Sequence, residues 1–98
     1  MAKIDISKYT MATNWTRYKG WTPGSGVDEY AIGSDYILLT FKTNDKFGYA
    51  YDFNFVMKEK VEEMKRLAER GSGLNTYVNQ NMDVKDGAIK FKIANVLK

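Results

Sequence analysis

Neither cysteine nor histidine occurs in this 98-residue chain, and proline occurs once. The first absence removes disulfides, thiolate nucleophiles and cysteine-ligated zinc. The second removes an imidazole base, a Ser-His triad and any histidine-ligated metal. Long apolar runs are missing too. The most apolar stretch, Tyr36-Ile37-Leu38-Leu39-Thr40-Phe41, has the length of a strand and falls far short of the ~18–20 residues of a membrane helix. Met1-Ala2-Lys3-Ile4-Asp5-Ile6 is charged where a secretion signal needs an apolar segment, so a cytoplasmic location with no membrane partner is expected.

The remaining chemistry is equally thin. Gly24-Ser25-Gly26 is not followed by Gly-Lys-Ser/Thr and is no P-loop. Glu63-Met64-Lys65 and Asp83-Val84-Lys85 have an acid-x-Lys spacing that arises by chance in a chain with 28% charged residues. Asp28, Glu29, Asp35 and Asp52 follow no metal-loop spacing. The expectation is a protein that is not an enzyme, with no catalytic residues, metal or cofactor.

Aromatic residues are what the chain has in plenty: seven Tyr, five Phe and two Trp. Its net charge of +3 is unevenly spread. Residues 1–20 carry Lys3, Lys8, Arg17 and Lys19 against Asp5, and residues 85–98 carry Lys85, Lys90, Lys92 and Lys98 against Asp86. The middle is mildly acidic. Basic ends suit an anionic partner.

Alternation of apolar and polar residues predicts strands at Lys3–Ser7, Trp15–Trp21, Val27–Ile32, Tyr36–Lys42, Phe47–Phe53 and Ile89–Ile93. The turn-like connections Gly33-Ser34-Asp35 and Thr43-Asn44-Asp45-Lys46 make the middle three an antiparallel meander. The period then lengthens to 3.6. Met57, Val61, Met64, Leu67 and Ala68 form one helical stripe, with Asn54 as expected cap, a Glu62–Arg66 pair and Gly71 as stop. Ser72 is placed to cap a second helix with Leu74, Tyr77, Val78 and Met82 inward and the amides Asn75, Asn79 and Gln80 outward. The fold class expected is α+β: a three-stranded meander, possible terminal strands at its edges, and two helices on one face. All 98 residues form one domain, with a core at 27–82 and added terminal strands in 1–21 and 84–98.

Hairpin register decides which aromatic side chains share a face. An even-length loop at Thr43–Lys46 sets Phe41, Leu39 and Ile37 opposite Gly48, Ala50 and Asp52. Tyr36, Leu38, Thr40 and Lys42 then share the other face with Phe53, Tyr51, Tyr49 and Phe47. An odd register mixes these sets. The even register gives a broad aromatic surface fringed by lysine, while the structural alternative makes the same rings a second core layer.

The Tyr49-Ala50-Tyr51 triplet, a following amphipathic helix and the segment Gly71-Ser72-Gly73-Leu74-Asn75-Thr76-Tyr77-Val78-Asn79-Gln80-Asn81 resemble the KTSC domain, found at the C-terminus of some lysyl-tRNA synthetases and as stand-alone bacterial proteins. The resemblance runs from Val27 to Asn81. It implies the α+β fold and, for function, only a suggested binding of nucleic acid, RNA in the first place. Gly48-Tyr49-Ala50-Tyr51 also echoes an RNA-recognition-motif stretch, but Phe47, Asp52 and Asn54 depart from that pattern and the element order differs.

Two functional readings follow. In the first, the chain binds RNA or a single strand. Tyr49, Tyr51 and Tyr36, with Trp15 and Trp21, supply stacking surfaces, and Arg17, Lys19, Lys42, Lys46, Lys90 and Lys92 meet phosphates. In the second, the same aromatic face holds another protein, as an accessory or inhibitory module from a phage or mobile element, since Tyr, Trp and Arg also dominate protein hot spots. A homodimer through the terminal strands is a third arrangement.

Overall fold

The computed structural model of the chain describes residues 7–10, 12–19, 26–42 and 44–92. The strand expected at Lys3–Ser7 lies outside that set except for Ser7, which opens a single helical turn, α1 (Ser7–Thr10). Among the described residues five strands follow in one antiparallel sheet, each beside its neighbour in sequence: β1 (Thr16–Arg17), β2 (Val27–Ile32), β3 (Tyr36–Phe41), β4 (Asn44–Asp52) and β5 (Ile89–Lys92). Between β4 and β5 run α2 (Lys58–Arg70), α3 (Leu74–Gln80) and α4 (Met82–Asp86). The α+β meander is thus present, and β1 and β5 extend it at its two edges. Among the described residues no helix is long and apolar enough to cross a membrane.

The β3–β4 register departs from the expectation. The hairpin closes on Phe41 opposite Asn44, across two residues, but an irregularity between Thr40 and Phe41 follows at once. Residues 45–47 have no counterpart on β3, so Thr40 pairs with Gly48, Leu39 with Tyr49, Leu38 with Ala50 and Ile37 with Tyr51. Three extra residues turn an even register into an odd one. Ile37 and Leu39 therefore share a face with Tyr49 and Tyr51, and Tyr36 is carried to the opposite face. The three tyrosines do not form one surface.

This register concentrates large side chains where the helices need an apolar floor. Ile37, Leu39 and Tyr51 are buried against Val61, Met64 and Leu67 of α2 and against Leu74 and Val78 of α3. On the other face Gly48 and Ala50 leave room for rings arriving from elsewhere in the chain. Phe91 of β5 and Tyr9 of α1 fill it, with Leu38 and Ala31 around them. A Cβ at Gly48 would collide with Cζ of Phe91, so the ring lies directly on the glycine.

A bulge in β2 between Val27 and Tyr30 is satisfied by Thr40, whose buried hydroxyl accepts the Glu29 N–H at 3.0 Å. Beyond β4, Asp52 is 1% exposed and organises the turn. Its Oδ2 accepts the Tyr9 hydroxyl at 2.5 Å, and its Oδ1 accepts both the N–H and the Nδ2 of Asn54 at 2.9 Å. Asn54 is consequently tied to Asp52 and does not cap α2. Burial, reinforced by the bond to Asp52 and by its charge, raises the Tyr9 hydroxyl above the ordinary tyrosine value.

The stripe of α2 is buried as its spacing predicts, from Val61 to Ala68, while Met57 stands exposed at the cap position. Gly71 ends the helix at φ 84°, its N–H donating to the Leu67 carbonyl at 2.9 Å. On the exposed side the ion pairs run Glu62–Lys65 and Glu63–Arg66, three residues apart, in place of Glu62–Arg66. Gly73, at φ 85°, precedes α3, where Ser72 was expected to cap; the Ser72 hydroxyl accepts Nε of Arg70. The Leu74 N–H is met instead by the buried hydroxyl of Tyr18, at 3.1 Å and 56 residues away. Met82 is not an inner residue of α3: a break at Asn81 starts α4, and Met82 is exposed.

Two stability predictions follow from these contacts. Gly48→Ala must displace the Phe91 ring, and its unfolding free energy is expected to fall by about 1–3 kcal/mol in urea titrations. Tyr18→Phe leaves the Leu74 N–H without its acceptor inside the core, with an expected loss of about 1–2 kcal/mol and an unchanged m-value.

Candidate functional site

Strict alternation along β4 sends Phe47, Tyr49, Tyr51 and Phe53 to the face that carries α2, α3 and α4, and Gly48, Ala50 and Asp52 to the α1 face. How far the helices reach then decides what each ring can do. Phe53 is partly covered, with the ammonium groups of Lys58 and Lys65 at 5.8 and 5.2 Å from its ring centre. Tyr51 is 2% exposed and packs in the helix-side core. Tyr49 and Phe47 are only half-buried.

Where the cover ends, the sheet and the helices leave a cleft of about 340 Å³. Phe41, Tyr49 and Tyr51 form its sheet wall, Val78 and Asn79 of α3 its helix wall, and Lys85 of α4 and Ala88 complete it. Phe41 and Tyr49 meet edge to face, ring centres 5.5 Å apart at 72°, a geometry that fixes both rings. Burial, and secondarily the neighbouring Tyr49, raises the Tyr51 hydroxyl above the ordinary tyrosine value, so it enters the cleft as a neutral O–H. The Asn79 Nδ2 donates to the Asn75 carbonyl at 3.0 Å, leaving Oδ1 as an acceptor.

The strand pairing extends this site along the sheet edge. Tyr49 lies opposite Lys90 and Phe47 opposite Lys92. Because Phe91 points into the α1-side core, both lysines stand on the helix face with the two rings. The Lys90 ammonium sits 4.5 Å from the centre of the Phe47 ring. Lys85, Lys90 and Lys92 are all exposed. The result is an aromatic cleft continued by a short strip of rings with cations beside them.

The other expected site residues fall elsewhere. Tyr51 belongs to the cleft but is too enclosed for an open stacking platform. Tyr36 stands on the α1 face, edge-on to Tyr9 at 5.2 Å. Trp15 packs against that same core, and Trp21 lies outside the described residues, as does the side chain of Lys46. The strand through them is shorter than expected: β1 covers only Thr16–Arg17, and Lys19 is in a turn with its stem against Gly71. Arg17 forms an ion pair with Asp28 at 2.9 Å. Lys42 is near both, and burial lowers its ammonium below the ordinary lysine value, opposed by Asp28 and assisted by Arg17. Trp15, Arg17, Lys19 and Lys42 are therefore not brought to the Tyr49 cleft.

Phe41, Phe47, Val78 and Lys85 join the site although none was among the expected binding residues; Phe47 had been placed on the aromatic face and Val78 on the inner face of the second helix. Phe47 shares the parity of Tyr49, and that signal is present in the sequence. The position of Lys85 depends on the break between α3 and α4, which the helical period does not announce. A larger depression of about 730 Å³ runs along α2, but Ile32 is the one apolar residue in a lining of charged side chains, of which Glu62 pairs with Lys65 and Glu63 with Arg66. It lacks the enclosed aromatic surface of the smaller cleft.

No protein-family model, curated protein or solved structure matches this chain.

Proposed function

We propose that the chain is a binding module for single-stranded nucleic acid, RNA in the first place, and that it acts through the β4–β5 edge of the helix-side face. The observation that carries this reading is the cross-strand pairing of Tyr49 with Lys90 and Phe47 with Lys92. Half-exposed rings spaced two residues apart on one strand offer successive stacking surfaces. The lysines on the next strand lie where the backbone of a stacked strand would run. A base stacked on an aromatic side chain contributes about 1–3 kcal/mol whatever its identity, and each phosphate held by lysine releases counterions. Lys85, across the cleft, provides a third cation on the same face.

The lack of histidine and cysteine fits a surface whose work is recognition. The site offers flat apolar rings, neutral hydrogen-bonding groups and fixed positive charge. None of its groups is a nucleophile activated by a neighbouring base. Among the described residues the α1 face, closed by Tyr9 and Phe91, offers no comparable row of accessible rings.

Fluorescence anisotropy with short single-stranded RNA and DNA at low salt tests the proposal. With three phosphates contacted, log K is expected to fall against log salt with a slope of about −2, from −0.7 per phosphate. The exposed pair Lys90→Ala and Lys92→Ala should weaken binding and reduce that slope by about 1.4 while leaving the thermal midpoint unchanged. Absence of binding at ~100 μM protein, weaker than ordinary non-specific affinity, would refute the proposal.

A further inference from the structure

The cleft at the end of the aromatic strip contains a polar group that the fold does not use. Tyr51 is 98% buried by side-chain and backbone packing, yet its hydroxyl has no hydrogen-bond partner among the described residues. The ring is enclosed, while the hydroxyl oxygen keeps contact with the open space of the cleft. Asn79 and the exposed Lys85 line the same cleft. Phenylalanine at this position would fill the same core volume without presenting a hydroxyl to the cleft. A molecule entering the cleft would meet this hydroxyl in place of water.

The walls restrict what that is. Phe41 and Tyr49, locked edge to face, and Val78 opposite them form an apolar slot between sheet and helix. Its volume, about 340 Å³, is at the small end of the ~300–1,000 Å³ range of small-molecule pockets. The polar groups are few and of distinct kinds: a neutral O–H at the floor, an amide oxygen on α3 and a cation at Lys85. A flat ring with hydrogen-bonding atoms on its edge and a phosphate on its substituent matches all three. We infer that the cleft between β3–β4 and α3–α4 binds the nucleobase of a single nucleotide, the base edge meeting the Tyr51 hydroxyl and the Asn79 amide and the phosphate meeting Lys85. This rests on the nucleic-acid reading for its biological context, where one base of a bound strand would turn in from the strip. It adds base discrimination to a surface that stacking alone leaves indifferent to sequence, because hydrogen bonds to a base edge differ among the four bases.

The test uses the four nucleoside monophosphates as probes, with backbone amide resonances of the full chain followed by NMR. Saturable shifts confined to Phe41, Tyr49, Val78, Asn79 and Lys85, with a Kd on the order of 1 mM for the best nucleotide, are expected. Tyr51→Phe should bind that nucleotide about five- to tenfold more weakly and narrow the spread among the four bases, with no loss of thermal stability because no protein partner is lost. Lys85→Ala should weaken the nucleotide while leaving the corresponding nucleoside, which has no phosphate, unchanged. Shifts scattered over the surface, or equal binding by Tyr51→Phe, overturn the inference. Running short oligonucleotides in parallel separates the two readings. Oligonucleotide binding that leaves the cleft resonances still removes the base pocket and keeps the strip. Mononucleotide binding in the cleft without oligonucleotide binding keeps the pocket and removes the strip, and silence in both removes both.

Discussion

The three unmatched residues of β4 beside Thr40 and Phe41 govern the rest of the molecule. Without them the hairpin would continue in the register with which it closes, and Ile37 and Leu39 would lie on the same face as Gly48 and Ala50. With them, Ile37, Leu39, Tyr49 and Tyr51 form one continuous floor, and that floor is what the stripe of α2 and the inner residues of α3 cover. A sheet has two faces and the side-chain period is two, so a shift by an odd number exchanges every contact of one strand. Both cores, the cleft and the accessible strip inherit their composition from that one irregularity.

Long-range polar contacts hold the two layers in place against this sheet. The Tyr9–Asp52 bond joins α1 to the end of β4, and the Tyr18–Leu74 bond joins the segment after β1 to the start of α3. Each fulfils an obligation that burial creates: a buried carboxylate needs donors, and the first N–H groups of a helix need acceptors. Tyrosine serves both, because its ring adds apolar contact while its hydroxyl reaches a distant partner. Two of the seven tyrosines are thus spent on anchoring. Tyr51 differs from Tyr9 and Tyr18 in that its hydroxyl meets the cleft and no described group of the protein.

Most of the fold was legible from periodicity. The spans of β2, β3 and β5, the stripe of α2 and the Gly71 stop follow from alternation, 3.6-residue spacing and the conformational freedom of glycine, all local properties. The helix caps were not legible. Asn54 and Ser72 have the right chemistry for capping, but Asp52 and Arg70 compete for their polar atoms, and a tyrosine 56 residues away caps α3 instead. The site was half legible. Tyr49, Lys90 and Lys92 were identifiable as an aromatic and a basic strand, and the amide of Asn79 as a polar helix position. Tyr36, Trp15, Arg17 and Lys42 could not be separated from them, since the face each residue occupies depends on pairings between strands.

What the sequence determines alone is the inventory and the local geometry: no imidazole or thiol, an abundance of tyrosine, alternating strands and an amphipathic helix. These depend on residue type and on neighbours within one turn or one strand. What only the tertiary structure decided is which tyrosines stay accessible. Phe47, Tyr49, Tyr51 and Phe53 are equivalent in period, and they differ because α2, α3 and α4 cover one end of β4 and stop short of the other. Accessibility is a property of what packs on a residue, and the chain supplies that cover only after β4 has ended, from Lys58 onward.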